Sequence, residues 1–246
     1  MYKLVLYSLF TLEGLSIVFS FFGILSYSPL SLIISIVSIV FVCFVSNTLF
    51  ARILNVQVNS ESYLITSLIL FFILFPVTTV DQLVTIGAVA FVSMASKYIL
   101  AINKKHIFNP VAIAIFLATL FGSGIASWWV GSTTLVIPVI ILGLLIIRKV
   151  RRFEMFFAFL IASVISLFIF NYSDSSKFLE FLKITFLSGP LFFLGFFMLT
   201  EPLTTPPKKK MQIIYGVIVG ALLGSSFEYG ILYSTPGFAL VVGNIF

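Results

Sequence analysis

From Leu4 to Ser26 the chain carries one charged side chain, Glu13, and from Ser31 to Leu54 again one, Arg52. Runs of this length match a bilayer, because a spanning α-helix needs about 20 largely apolar residues. Over all 246 residues only 9% are charged, against about 25% in soluble domains. Water cannot solvate so poor a surface, so the fold class expected is an all-α integral membrane protein, with the lipid bilayer as its first partner. The first run is too long for the apolar stretch of a secretory signal, and no Ala-x-Ala site follows it. It is read as the first membrane helix.

The formal net charge of +6 suggests nucleic acid in a soluble protein. Here it fits lysines and arginines held on the cytoplasmic side. No basic stripe is accompanied by enough polar surface to dock DNA or RNA, so no nucleic-acid partner is expected. Cys43 and His106 are each alone of their kind. That excludes an internal disulfide, a four-cysteine iron–sulfur centre and an ordinary metal site.

Ten segments read as spans: 5–26, 31–54, 62–80, 82–102, 110–129, 133–148, 153–171, 183–200, 211–227 and 231–246. Breaks fall at Ser28-Pro29, Asn55 to Ser60, Pro76 to Thr79, Asn103 to His106, Gly131, Arg148 to Arg152, Asn171 to Ser176, Pro206-Pro207 and Tyr229-Gly230. With both termini cytoplasmic, 12 of the 14 basic residues lie inside, Lys104, Lys105 and Lys208 to Lys210 among them. Lys177 and Lys183 stay outside. The expected location is the inner (cytoplasmic) membrane.

A repeat is visible within this series. "LFPVTT" (74–79) resembles "TEPLTT" (200–205), and "FNP" (108–110) resembles "STP" (234–236), both pairs 126 residues apart. Such an offset divides the chain into about 1–129 and 130–246, with five helices in each. An odd number per half makes the two halves face opposite ways. Inverted repeats of this kind place their working site near the midplane, at broken helices in equivalent positions.

The order of four segments carries a resemblance. "ESYLITSLILFFILFP" (61–76), "SKYILAINKKHIFNPVAIAI" (96–115), "FFMLTEPLTTP" (196–206) and "PGFALVVGNIF" (236–246) are similar to successive motifs of the NqrB/RnfD family. Those proteins are membrane subunits of the sodium-pumping NADH:quinone oxidoreductase and of the Rnf ferredoxin:NAD complex. The likeness runs from Glu61 onward and implies two inverted five-helix halves in a urea-transporter-like architecture. It also implies flavin, which the family carries as FMN esterified to a threonine of a Ser-Gly-Ala-Thr motif. The corresponding stretch here, "GSGIASWWVGSTT" (122–134), lacks that motif. Covalent FMN is therefore not expected; non-covalent flavin (FMN or riboflavin) or quinone is. Partners implied are other membrane and peripheral redox subunits.

Eight residues are candidates for a cofactor site or translocation path. Glu201 ends a long apolar run, and an ionisable group near hydrocarbon is a functional candidate unless it is paired or wet; the competing reading pairs it with Lys208 to Lys210. Thr78, Thr79, Thr204 and Thr205 follow broken helix ends, where hydroxyls cap freed backbone groups or line a polar path. Asn109 precedes Pro110 as a natural N-cap. Lys97, near a cytoplasmic helix end, matches a lysine of the family. Glu13 lies mid-helix, with Asn47 as a conceivable partner. His106 reads as an interfacial residue of a basic loop. The residues leave three functions open: an electron-transport subunit coupled to Na+ or H+ movement, a transporter or channel for a small solute or ion, and a non-catalytic scaffold for a flavinylated partner. Lacking nucleotide-binding motifs and cysteine clusters, the chain is at most a non-autonomous subunit of an oxidoreductase or translocase.

Overall fold

In a computed structural model the described residues are 2–57, 60–102, 105–122, 124–171, 175–230 and 232–246. Lys104, the Lys177 side chain, and the parts of the expected breaks at 58–59, 103–104 and 172–174 lie outside them. Helices dominate. They are α1 (Tyr2–Phe21), α2 (Pro29–Ile53), α3 (Ser60–Ile73), α4 (Val80–Ile99), α5 (Pro110–Leu120), α6 (Val136–Val150), α7 (Phe153–Asn171), α8 (Ser175–Leu187), α9 (Leu191–Phe193), α10 (Lys209–Gly224) and α11 (Pro236–Ile245). A π-helical turn, Leu194–Met198, continues α9. Four helices (α1, α2, α4 and α7) are long and apolar enough to cross a membrane by themselves. A fifth span results if Phe178–Leu187 and Leu191–Met198, bent by 53° at their junction, count as one.

Several expected helices are shorter than the apolar runs that suggested them, and their ends show why. The run 62–80 stops at Ile73 because Pro76 has no N–H to continue the ladder and biases its neighbour away from helix. The last carbonyls of α3 still need donors, and the segment after α5 supplies them. Ser127 and Trp128 donate backbone N–H to the Ile73 carbonyl at 2.8 and 2.9 Å. Val130 donates to Phe72 at 3.3 Å, and Trp129 Nε1 to Phe71 at 2.7 Å. For the same reason the run 110–129 is helical only to Leu120: the chain turns at Gly122 (φ +69°) and runs extended beside α3. Trp129→Phe keeps the ring but leaves the buried Phe71 carbonyl without that donor. It should cost about 1–3 kcal/mol, read as a lower melting temperature of the detergent-solubilised protein.

The order of elements recurs along the chain. A two-stranded hairpin, Ala101–Ile102 with Lys105–His106, joins α4 to α5, and another, Glu228–Tyr229 with Leu232–Tyr233, joins α10 to α11. Each hairpin leads to a short helix opened by a polar N-cap and a proline, Asn109-Pro110 and Thr235-Pro236. These two short helices pack against each other.

Glycine sets the closest helix pair. Gly216, Gly220 and Gly224 form one row of α10, four residues apart, and face the α7 backbone. A Cβ at these positions would lie 2.5 Å from the Met155 carbonyl oxygen, 2.2 Å from that of Phe159 and 2.3 Å from that of Ser163. Small residues at this spacing let helix backbones meet where hydrophobic driving force between helices is absent. The π-helical turn packs the same way: a Cβ on Gly143 of α6 would sit 2.2 Å from the Phe196 ring, which stacks on Phe156 at 4.3 Å.

Candidate functional site

The broken helix α9 and its π-helical turn end at Thr200, delivering Glu201 to the N-terminus of α5. Glu201 is bound there from two directions. His106, on the hairpin before α5, donates Nε2–H to Oε1 at 2.9 Å. Asn109 donates Nδ2–H to Oε2 at 2.8 Å. Asn109 also caps α5, its Oδ1 accepting from the N–H groups of Val111 and Ala112 at 3.1 and 3.0 Å. One side chain thus ends a helix and holds the carboxylate, so capping and site contact are not alternatives here.

A further polar shell fixes this arrangement. Asn244 of α11 accepts from the Asn109 backbone N–H at 2.8 Å and donates to the fully buried Tyr215 hydroxyl at 3.0 Å. Arg152, between α6 and α7, donates to the Thr200 and Glu201 carbonyls at 2.9 and 3.5 Å. Burial lowers the guanidinium from its ordinary value, but arginine remains charged at any physiological pH. It therefore places a permanent cation at the carbonyl end of the broken helix, where the dipole favours one. Thr205 donates its hydroxyl to the Leu199 carbonyl at 3.1 Å and also to that of Glu201.

Lys97 completes the site. Its Nζ is buried and has no hydrogen-bond partner among the described residues, though it senses the Glu201 charge. It faces two spaces. One is a chamber of about 40 Å³ between Lys97, His106, Asn109, Thr66, Thr200 and Glu201. The other is a vestibule of about 330 Å³ lined by Lys97, Tyr98, His106, Asn47, Gln57 and Leu203, among others. A second, more open vestibule of about 540 Å³ lies beyond His106, with Lys105, Thr204, Lys208 and Asn244 on its walls. Thr204 Oγ1 is buried and unpartnered there among the described residues.

The sequence candidates separate accordingly. Glu201, Asn109, Lys97, Thr204 and Thr205 come together. Thr78 and Thr79 do not: both are exposed at the start of α4, about 27 Å from Lys97 at 1.5 Å per residue. They close a capping arrangement, with Thr78 donating its N–H and hydroxyl to Gln82 Oε1 at 2.8 and 2.9 Å and Thr79 accepting from the Gln82 N–H. Glu13 is also remote, and Asn47 is not its partner; Asn47 Oδ1 accepts from the Tyr98 hydroxyl at 2.8 Å.

Two other expectations need correction. Glu201 pairs with His106 and Asn109 rather than the lysine run, where Lys209 instead meets Glu154 at 3.5 Å on the surface. His106 does not lie open in the basic loop: it is 6% exposed. It escaped the sequence reading because its acid lies 95 residues away. Asn244, Tyr215 and Arg152 were missed too. The only sequence signal was Asn244, a polar side chain inside the last apolar run.

The profile of the NQR2, RnfD, RnfE family matches residues 118–246, just over half of the chain. The protein belongs to this family. Its members are subunits of multi-subunit Nqr and Rnf complexes, which is consistent with membrane partners and agrees with the apolar helices in making it a membrane protein. The match covers Glu201, Thr204, Thr205, Arg152, Tyr215 and Asn244 of the polar cluster, while Lys97, His106 and Asn109 lie outside it. Among curated proteins no match was found.

Proposed function

We propose that this NQR2/RnfD/RnfE-family protein is an electron-transport subunit that binds a non-covalent flavin or quinone beside Lys97, His106 and Glu201. The buried, unpartnered Lys97 Nζ carries the reading. A buried ammonium without an acceptor is costly, and it lies on the wall between a chamber and a vestibule. The chamber of about 40 Å³ is too small for a ring system; it suits water or a small ion, since one water occupies about 30 Å³ of liquid. The vestibule of about 330 Å³ reaches the lower end of the range for ligand sites, about 300–1,000 Å³. Its tyrosine, amide and cationic groups suit a flat ring bearing carbonyl oxygens.

Such a ring would supply the electron chemistry. The chain's own residues would set its surroundings. Lys97 would donate to a ring carbonyl and favour added negative charge. His106, on the same wall, would exchange a proton with Glu201 across their 2.9 Å contact. Asn109 would hold the carboxylate fixed, and the chamber behind it would admit water or the coupling cation. Coupling of electron flow to Na+ or H+ thus has a physical basis in Glu201. Covalent attachment of FMN at 122–134 is not part of the proposal.

The recurring hairpin and proline-capped helix support ten membrane-crossing or membrane-entering segments in two inverted halves. Such facing broken helices also favour the second reading, a small-solute or ion transporter, with Lys97 meeting a transported anion. The third reading is a non-catalytic scaffold for a flavinylated partner. Glu201→Gln distinguishes the first from the others. It keeps the side-chain shape and one of the two accepting oxygens and removes the charge, so ion-coupled electron transfer by the assembled complex should fall by at least about tenfold while cofactor content stays. Unchanged transfer would argue against any coupling role for this carboxylate.

A further inference from the structure

Glu13 lies outside the site just described. It sits on α1 about 16 Å past the first residue and about 12 Å before the last, at 1.5 Å per residue. Its side chain borders a groove of about 470 Å³ between α1, α2 and α3, walled by Phe10, Val37, Phe41, Phe44, Tyr63 and Leu68. No described residue hydrogen-bonds or pairs with its carboxylate. On the helices packed against α1 the titratable groups are Cys43 and Arg52 of α2, Glu61 and Tyr63 at the start of α3, and Arg148 and Lys149 in the last turn of α6.

We infer that this groove seats a transmembrane helix of a neighbouring subunit, and that a lysine or arginine of that helix pairs with Glu13. Charge complementarity is the first reason. A carboxylate at this depth is costly in hydrocarbon, and a basic side chain from a packed helix neutralises it. Shape is the second. The α2 wall is a stripe, Ile36, Val37, Val40, Phe41 and Phe44, repeating at one-turn intervals. Its outer members are open: Val37 is 62% exposed and Phe41 65%. Depth excludes the simplest other cation, since a lipid headgroup amine stays at the interface more than about 10 Å away. Membership of a family of complex subunits agrees with such a neighbour. The inference does not depend on the cofactor reading.

The test is a photo-crosslinking residue in place of Phe41, in the full chain and in the membranes of its own cells. The expected adduct is a peptide from another protein's apolar helix, with Lys or Arg within one turn of the attachment point. Adding Glu13→Lys should lower its yield by at least about tenfold, the effect of one lost pair in place of repulsion. Glu13→Gln should lower it less. Adducts confined to lipid or to a second copy of this chain would overturn the inference, and so would a yield indifferent to Glu13→Lys. If the Glu13→Lys chain fails to accumulate, the adduct of the otherwise unaltered chain decides alone: a helix without a basic residue at that level contradicts the pairing.

Discussion

Gly220→Val strongly destabilises the folded protein. The obstacle to a side chain at this position is the Phe159 carbonyl oxygen, 2.2 Å from where Cβ would stand. It belongs to the α7 backbone, so no rotamer change clears it. The α7 and α10 axes must separate, which loosens the Gly216 and Gly224 contacts with Met155 and Ser163 as well. Overpacking against side chains costs about 1–3 kcal/mol; against a backbone the cost should reach at least the top of that range. For a chain of this size that corresponds to a melting temperature lower by about 6–12 °C, or to aggregation on solubilisation. Size-exclusion profiles after stepwise heating measure it. Gly14→Ala is the control, because a Cβ at Gly14 meets nothing within 4 Å. That change should be neutral or stabilise by about 0.5–1 kcal/mol through helix propensity. A Gly220→Val protein that melts with the unaltered one would show that the glycine row does not hold these helices together.

Glu201→Leu has the second largest effect, and it acts twice. Removing the carboxylate leaves His106 Nε2 and Asn109 Nδ2 without their acceptor in a site where His106 is 6% exposed. Each unsatisfied buried donor costs about 1–3 kcal/mol. With two such donors the folded state should be destabilised by about 2–6 kcal/mol. On the proposed function, electron transfer through the complex should fall by about a hundredfold or more, because the carboxylate proposed to exchange a proton is gone. Comparison with Glu201→Gln separates the two effects. The amide can still accept from His106 or Asn109, so most of the stability returns while transfer remains depressed. A leucine variant as heat-resistant as the parent would mean that the hydrogen bonds to Glu201 contribute nothing to holding the halves of the site together.

What the sequence revealed follows from where the signal was local. The starts of α2 and α5 were legible because a polar N-cap and a proline announce each one, Ser28-Pro29 and Asn109-Pro110, whereas α11 starts only at Pro236, inside the run 231–246. Membrane class was legible from the scarcity of charge, and the family from four ordered motifs. The early ends of α3 and α5 were not. Apolar content continues past both; Pro76 stops the α3 ladder, and the pairing of 72–75 with 125–130, a contact across about 50 residues of chain that no local pattern encodes, satisfies its last turn and draws the chain after α5 out of helix. The site was half legible for the same reason. Glu201 and Lys97 stood out as charges in apolar surroundings. His106 looked like one more polar residue of a basic turn until the fold buried it against Glu201. The glycine row at 216, 220 and 224 was in plain view as well. Its four-residue spacing marks the face of α10 that meets α7.

The most direct measurement is the flavin and quinone content of gently solubilised protein, by visible spectrum and solvent extraction, for the unaltered chain and for Lys97→Met. Methionine keeps the apolar stem and removes the buried charge, so folding should survive, as a size-exclusion profile would confirm. The expected result is about one flavin or quinone per folded chain, falling at least tenfold in the variant, the equivalent of one lost charge-assisted hydrogen bond of about 1.5–3 kcal/mol. A folded, unaltered chain free of both molecules, or a content that Lys97→Met leaves unchanged, would contradict a redox ring held beside Lys97.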